Sequence, residues 1–288
     1  MNLRVKFNLV LITIFLIGFA AVAVISYYIL QQNAREEVLR EAGLIMESAL
    51  SVRKYTVEQI VPKLRRTSRF FPQSVPAYAA TEVIAELQKK HPDYGYKEST
   101  LNPTNPRDRA TDWEADIISR FRQDSESKEI ISERNTPTGR QLYIARPIRV
   151  TNPTCLKCHS TAEAAPPSMI KVYGTANGFG WQMNEVIGAQ VVTVPTDVPR
   201  QNADRAFITF MASLAGVFSI IFVALNVMLS LVIVRPIRHL SAAADKISTG
   251  DFSEPEFSEK GHDEISVLSS SFNRMRRSLE KAIQMIEE

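Results

Sequence analysis

The sequence predicts an α+β domain held between two membrane-spanning helices and followed by a pair of amphipathic helices, and three patterns predict it. Two long uncharged blocks, 7–34 and 206–234, enclose 171 residues from Arg35 to Arg205. Within that segment helical spacing comes first and period-two alternation follows. The last 54 residues, from Arg235 on, repeat apolar positions every three or four residues.

The first block has its apolar heart at Leu9 to Leu30, long enough at 1.5 Å per residue to cross a hydrocarbon core of about 30 Å. It reads as a membrane helix. A cleaved signal peptide is the alternative, because Lys6 precedes the run and Ala21-Val-Ala23 has the small residues of a cleavage site. Against it, the apolar run continues through Val24, Ile25, Tyr27, Tyr28 and Leu30. The second block, between Arg205 and Arg235, lies too far from the N-terminus to be a signal sequence.

Beyond the first block, Val38, Ala42, Ile45, Ala49, Val52, Val57 and Ile60 predict a helix continuing out of the membrane to about Arg69 as a stalk. Thr81 to Lys90 predicts a second helix, stopped by His91-Pro92, and Asp93 to Thr100 an extended segment. Asn102-Pro-Thr-Asn-Pro106 forces a loop. Thr111 with Glu114 three residues on is a capping-box start for another helix. Lys128–Arg134 and Gln141–Val150 alternate around Thr136-Pro-Thr-Gly139 and predict a hairpin. A Pro- and Gly-rich stretch, 165–180, precedes the β-branched run Val186–Val194, a buried strand leading toward the second membrane helix.

The chain's two cysteines both lie in Cys155-Leu-Lys-Cys158-His159, so no disulfide framework can join distant segments. In C-x-x-C-H the thiols are spaced to add across the two vinyl groups of a haem while the histidine reaches the iron, so Cys155 and Cys158 are the expected thioether anchors and His159 the axial ligand of one c-type haem per chain. A zinc pair would need two more ligands where the segment offers only His91, and a redox dithiol would want a βαβ setting and no histidine. The sixth iron position is open. His91 and Met46 are the candidates carried forward, with Met169, Met183, Tyr55, Tyr94 and Tyr173 behind them; each has an ordinary structural role as the alternative. Arg107 and Arg109 suit haem propionates by chemistry but read better as surface arginines beside Asp108 and Asp112. Trp113 and Trp181 read as core before they read as porphyrin shields.

Positive charge flanks both blocks on both sides and does not orient them, whereas c-type attachment on the outer face of a bacterial inner membrane does. The expected layout is a cytoplasmic tail at 1–8, a membrane helix at 9–30, a periplasmic domain at 31–205, a membrane helix at 206–234 and a cytoplasmic region at 235–288. In that last region Ile237, Leu240, Ala244 and Ile247, then Ile265, Leu268, Phe272, Met275, Leu279, Ala282 and Ile286, form two short seams around Gly250 and Gly261. Seams this short are stable only when buried, which predicts a homodimer closing them into a parallel four-helix bundle. A formal net charge of +3 with interleaved signs argues against a nucleic-acid surface.

Two resemblances follow. Val234-Arg-Pro-Ile-Arg-His-Leu240, Asp263-Glu-Ile265 and Ser271-Phe-Asn-Arg-Met275 resemble the HAMP domain, a signal-converting linker of bacterial membrane receptors. Tyr94-Gly-Tyr-Lys-Glu98, Leu101-Asn-Pro-Thr-Asn-Pro-Arg107, Cys155–His159 and Val186-Ile-Gly-Ala-Gln190 resemble the PAS-like c-type haem sensor domains formerly grouped as a domain of unknown function. The resemblance implies haem on Cys155 and Cys158 with His159 as ligand. It departs from the group in having no third cysteine for a thiolate sixth ligand. The expectation is a non-enzymatic sensor of redox state or a diatomic gas that signals through HAMP to a separate cytoplasmic partner. A membrane-anchored electron carrier and a small-molecule receptor with a structural haem are the alternatives.

Overall fold

The computed structural model describes residues 2–64, 69–258 and 261–287, the side chains of 286 and 287 excepted. The chain forms two compact units, one from the residues up to Ile25 together with those from Ile208 on, the other Ser26–Phe207.

Helix α1, Leu3–Tyr55, starts in the first unit and ends in the second without interruption. Its apolar stretch leaves Leu16, Ile17 and Val24 exposed, as side chains facing hydrocarbon are. In the second unit α1 buries Ala34, Val38, Ala42, Ile45, Met46 and Ala49, the stalk seam expected from spacing. The seam then departs from expectation. A π-helical turn at Thr56–Ile60 turns Thr56 inward and leaves Val57 exposed before a last turn α2, Val61–Leu64. The cause is Pro62, whose ring would clash with the carbonyl four residues back, Glu58; widening the helix by one residue relieves that clash. The expected helix end near Arg69 falls partly on 65–68, outside the described residues.

Helix α3, Pro76–Gln88, begins five residues before the expected Thr81, with Pro76 in its first turn where a missing N–H costs nothing. It stops ahead of Pro92. Strand β1 is Gly95–Thr100. Helix α4, Asp112–Gln123, starts at the predicted capping box. Glu114 accepts from the Thr111 amide at 2.7 Å and from Lys97 at 2.8 Å. Burial alone would raise the Glu114 carboxyl, but Lys97 and Thr111 outweigh it and hold it below the usual range.

Strands β2, Ile130–Thr136, and β3, Gly139–Arg149, form the expected hairpin. Short helices α5, Leu156–His159, and α6, Pro167–Tyr173, lie in the connection to β4, Val186–Pro195. The four strands form one antiparallel sheet ordered β1-β4-β3-β2. Strand β4 is central and covered on both faces, so it reads as a continuous apolar run where edge strands alternate. One face packs Tyr96, Leu142, Ile144, Val192 and Val194 against α1 and α3. The other packs Tyr143, Ala145, Ala189 and Val191 against Ile117, Ile118 and Phe121 of α4. Phe121 is fully buried, and truncating it to Ala would cost about 3–5 kcal/mol.

Three ion pairs fix how α1 lies on this sheet. Arg35 pairs with Glu133 of β2, Glu47 with Arg146 of β3, and Arg53 with Glu98 of β1. Leu142 follows β3's start and Arg146 approaches its end, so α1 runs along β3 with Arg53 at the end where β3 finishes.

Helix α7, Asp197–Met228, follows β4 directly. A second π-helical turn, Leu229–Val234, joins it to α8, Arg235–Ser248. Pro236 lies in the first turn of α8, and the helix continues through it without a break because Pro236 meets Val232, four residues back, inside the widened turn. After a connector comes α9, Glu264–Glu287. Asn273 of α9 is buried and pins that connector, accepting from the Phe257 amide at 3.0 Å and donating to its carbonyl at 2.9 Å. Leu240, Ala243 and Ile247 are buried, with Ala243 in the place expected of Ala244, while Leu268, Met275 and Leu279 stay exposed in the single chain. Ile286, the last position of the expected seam, has its side chain outside those described.

Candidate functional site

The Cys155–His159 motif sits in the β3–β4 connection, just past the end of β3. Asn152 opens it: its side chain accepts from the Thr154 amide at 2.9 Å, and Pro153 fixes the next φ, so the chain enters a tight turn that flows into α5. Helical spacing puts Cys155 and Cys158, three residues apart, on one side of that turn. Both are free thiols and half-buried. Burial pushes both thiols up, with Arg53 pulling the other way at Cys155 and Cys155 adding to the rise at Cys158.

His159 is held by two segments, the Asn102–Pro106 loop and the Pro- and Gly-rich stretch 165–180. Its Nδ1 lies 2.7 Å from the carbonyl oxygen of Gly178 and 3.4 Å from Thr104 Oγ1. A carbonyl can only accept, so Nδ1 carries the proton and donates, which leaves the Nε2 lone pair to act as a ligand. Burial pulls the imidazole pKa down, partly offset by the Gly178 bond, and so favours the neutral ring that a metal ligand must be.

The supporting loops brace each other. Asn102 accepts from the Gly178 amide at 3.1 Å and donates to the Phe179 carbonyl at 3.3 Å. The Gly180 amide bonds the Ser160 carbonyl, and the Trp181 amide the His159 carbonyl. Gly178 has φ +88°, and a Cβ there would run into Thr104, so backbone conformation and close approach both require glycine. Pro103 beneath is fully buried. Trp181 stacks on the His159 ring at 3.8 Å between centroids and 9° from parallel. The expectation that both tryptophans are core therefore splits. Trp113 lies edge-on to Tyr143 in the α4 layer with Arg134 over its face, but Trp181 belongs to the histidine.

Met46 is sealed in the core between α1 and the sheet, and His91 is exposed beyond α3, edge-on to Tyr94. Met169 is buried and Met183 exposed. Tyr94 donates to Glu41, and burial together with that bond pushes its hydroxyl up to about 12. Arg107 pairs with Glu82 at 2.5 Å and covers the Tyr78 ring, and Arg109 is exposed, as expected of surface arginines. Asp108, expected only as a surface partner of the arginines, is instead half-buried, and burial raises its carboxyl to about 6 against the pull of Arg107. Among the described residues no group of three or more His, Cys, Asp and Glu forms a separate metal site.

The Tll0287-like family profile matches residues 31–195, more than half of the chain, and the HAMP domain profile matches 228–281. The chain belongs to the Tll0287-like family. As a Tll0287-like protein it carries two transmembrane helices and a HAMP domain on the C-terminal side of its sheet domain. It is 34% identical over 111 residues to the heme sensor protein HssS of Staphylococcus epidermidis, a match covering 38% of this chain and 24% of that one. It is 32% identical over 123 residues to the sensor histidine kinase WalK of Bacillus subtilis, covering 42% and 20%. The match thus spans about a quarter or less of these relatives. The solved cyanobacterial heme-protein Tll0287 aligns at 16% identity with a TM-score of 0.44, covering 55% of this chain and 95% of that one.

Proposed function

We propose that this Tll0287-like protein is a membrane-bound haem sensor in which Cys155 and Cys158 hold a covalent c-type haem and His159 ligates its iron through Nε2. The observation that carries the reading is the bond from His159 Nδ1 to the Gly178 carbonyl, which fixes the tautomer a proximal ligand needs. Two free thiols on one turn immediately before that histidine complete a donor set that fits the group. The haem supplies a redox-active iron with a further position for an exogenous diatomic ligand. The protein's own residues do the rest. Gly178 and Thr104 orient the imidazole, Trp181 shields one face of it, and Asn102 ties the two bracing loops together. Among relatives, HssS is named as a heme sensor, which supports the same signal class here.

The chain path gives the signal a route. The loop bearing Gly178 and Trp181 leads into β4, and β4 leads into α7, the second membrane helix. The HAMP pair α8 and α9 follows. In this reading the sheet domain is periplasmic, the HAMP region is cytoplasmic in a bacterial inner membrane, and a second copy covers Leu268, Met275 and Leu279. A cytoplasmic output partner reads the bundle.

The test is co-expression with a c-type maturation system, haem staining after denaturing electrophoresis, and absorption spectra of oxidised and reduced protein with and without nitric oxide or carbon monoxide. Haem that survives denaturation in wild type and is lost in Cys155→Ser/Cys158→Ser is expected, with spectra that respond to a diatomic ligand or to redox state. Absence of covalent haem in wild type overturns the reading. A six-coordinate spectrum indifferent to both gases, with fast electron exchange, turns it into an electron carrier.

A further inference from the structure

Strand alternation sends Tyr96 and Glu98 of β1 toward α1, while Lys97 between them reaches Glu114 of α4 on the other face. Glu98 is thereby a buried carboxylate, 3% exposed, on the face that packs Tyr96, Val192 and Val194 against α1. A buried carboxylate needs a counter-charge and hydrogen-bond donors. It has both: Arg53 pairs with its Oε2, Tyr96 donates to Oε1 at 2.7 Å, and Gln190 across the strand pair donates to the Tyr96 oxygen at 3.3 Å.

The position of this network is the informative part. Glu98 lies two residues from the end of β1, and the same strand then delivers Asn102 and Thr104 to the His159 loop. Gln190 lies in β4 four residues after Val186, where the chain leaves that loop. Arg53 stands on α1 at the end of the sheet where β3 gives way to the Cys155 motif, and its side chain is only partly exposed, at 26%. Its positive charge is felt at Cys155. Three residues on, α1 enters the π-helical turn at Thr56–Ile60, where helix geometry is least regular.

We propose that Arg53, held by Glu98, is the residue through which the charge on the iron acts on the stalk helix α1, giving the haem site a second route to the membrane besides β4 and α7. This rests on the haem reading above. When the iron gains an electron its site becomes one charge more negative, which strengthens the pull on Arg53 and weakens the relative hold of Glu98. The guanidinium responds on α1 at the margin of its π turn, while Glu98, anchored by Tyr96 and Gln190, stays with the sheet. Arg53 is a positioning and tuning residue in this scheme, with no ligand role.

The test uses the full-length, detergent-extracted protein with its haem, oxidised with ferricyanide or reduced with dithionite. Wild type, Arg53→Gln, Arg53→Lys and Glu98→Gln are each checked for covalent haem before redox titration. Removing the positive charge in Arg53→Gln lowers the ferrous-to-ferric ratio at fixed ambient potential about tenfold, as loss of a partly screened unit charge near the site predicts. Glu98→Gln raises it, and Arg53→Lys stays near wild type. Hydrogen exchange over residues 49–60 differs between the two oxidation states in wild type and loses that difference in Arg53→Gln. Ratios within twofold of wild type in both charge variants, or shifted in the same direction, overturn the proposal while leaving the haem reading intact. A redox-dependent exchange difference that survives Arg53→Gln overturns it as well. Wild type without covalent haem overturns both.

Discussion

The protonated nitrogen of His159 points at the carbonyl of Gly178, 2.7 Å away, on a loop nineteen residues further along the chain. That carbonyl faces the ring because Gly178 adopts φ +88° and passes close against Thr104.

Gly178→Ala should therefore disturb the site without touching a donor atom. A side chain at that φ costs about 1–2 kcal/mol, and contact with Thr104 adds to it. The expected result is reduced covalent haem per protein and a lower midpoint of thermal unfolding. Unchanged values for both would mean that the loop is not what holds the histidine.

Asp108 predicts a pH dependence with a definite sign. Its carboxyl is raised to about 6 by burial, so the folded state binds the proton more tightly than the unfolded chain. The stability this contributes is complete below the unfolded value of about 4 and is lost as pH rises through 6, amounting to about 3 kcal/mol. Thermal unfolding in detergent between pH 4 and 7 should show this loss in wild type. Asp108→Asn should remove that part of the slope, and a variant profile parallel to wild type contradicts the assignment.

Glu114 predicts the opposite sign. Its carboxyl is depressed by Lys97 and Thr111, so its contribution is present above its unfolded value and lost as pH falls through the folded one. Glu114→Gln should cost about 1–2 kcal/mol at pH 7 and converge on wild type in strong acid. A cost that persists undiminished at low pH points to packing instead.

These two acids mark what a sequence reveals of such a fold. Glu114 was legible because Thr111 stands three residues before it, a local signal for a local interaction. The hairpin at Thr136–Gly139, the buried run Val186–Val194 and the stalk seam through Ala49 were legible for the same reason. Asp108 was not, since its burial depends on segments distant in sequence. The site divides the same way. Cys155, Cys158 and His159 announce themselves by spacing, whereas Gly178, Asn102 and Trp181 reach the histidine only through the fold. The resemblance at Leu101–Arg107 and the alternative of Trp181 as a porphyrin shield hinted at part of this, without showing that either segment meets His159.

The α9 seam predicts a dimer-specific effect. Leu279 is exposed in the single chain, so Leu279→Glu should leave the fold of one chain intact while putting a charge into the four-helix interface. Cysteine cross-linking between copies through a residue introduced on α9 should fall several-fold relative to the same protein with Leu279. Cross-linking that persists at full yield would mean the copies associate by another surface.

The π turn ahead of Pro236 has a bearing on how motion is indexed along this helix. One surplus residue rotates everything downstream by about 100° relative to an unbroken α-helix. Leu240 and Ile247 of α8 are thus set out of step with the side chains of α7 by a single residue. A surplus residue of this kind behaves like the sliding scale of a vernier. Moving it one place along the chain would exchange one set of backbone bonds for an equivalent set and turn only the residue it passes, leaving the register below unchanged. A second such turn stands at Thr56–Ile60 ahead of Pro62, so α1 and α7 each run into one surplus residue where a proline follows.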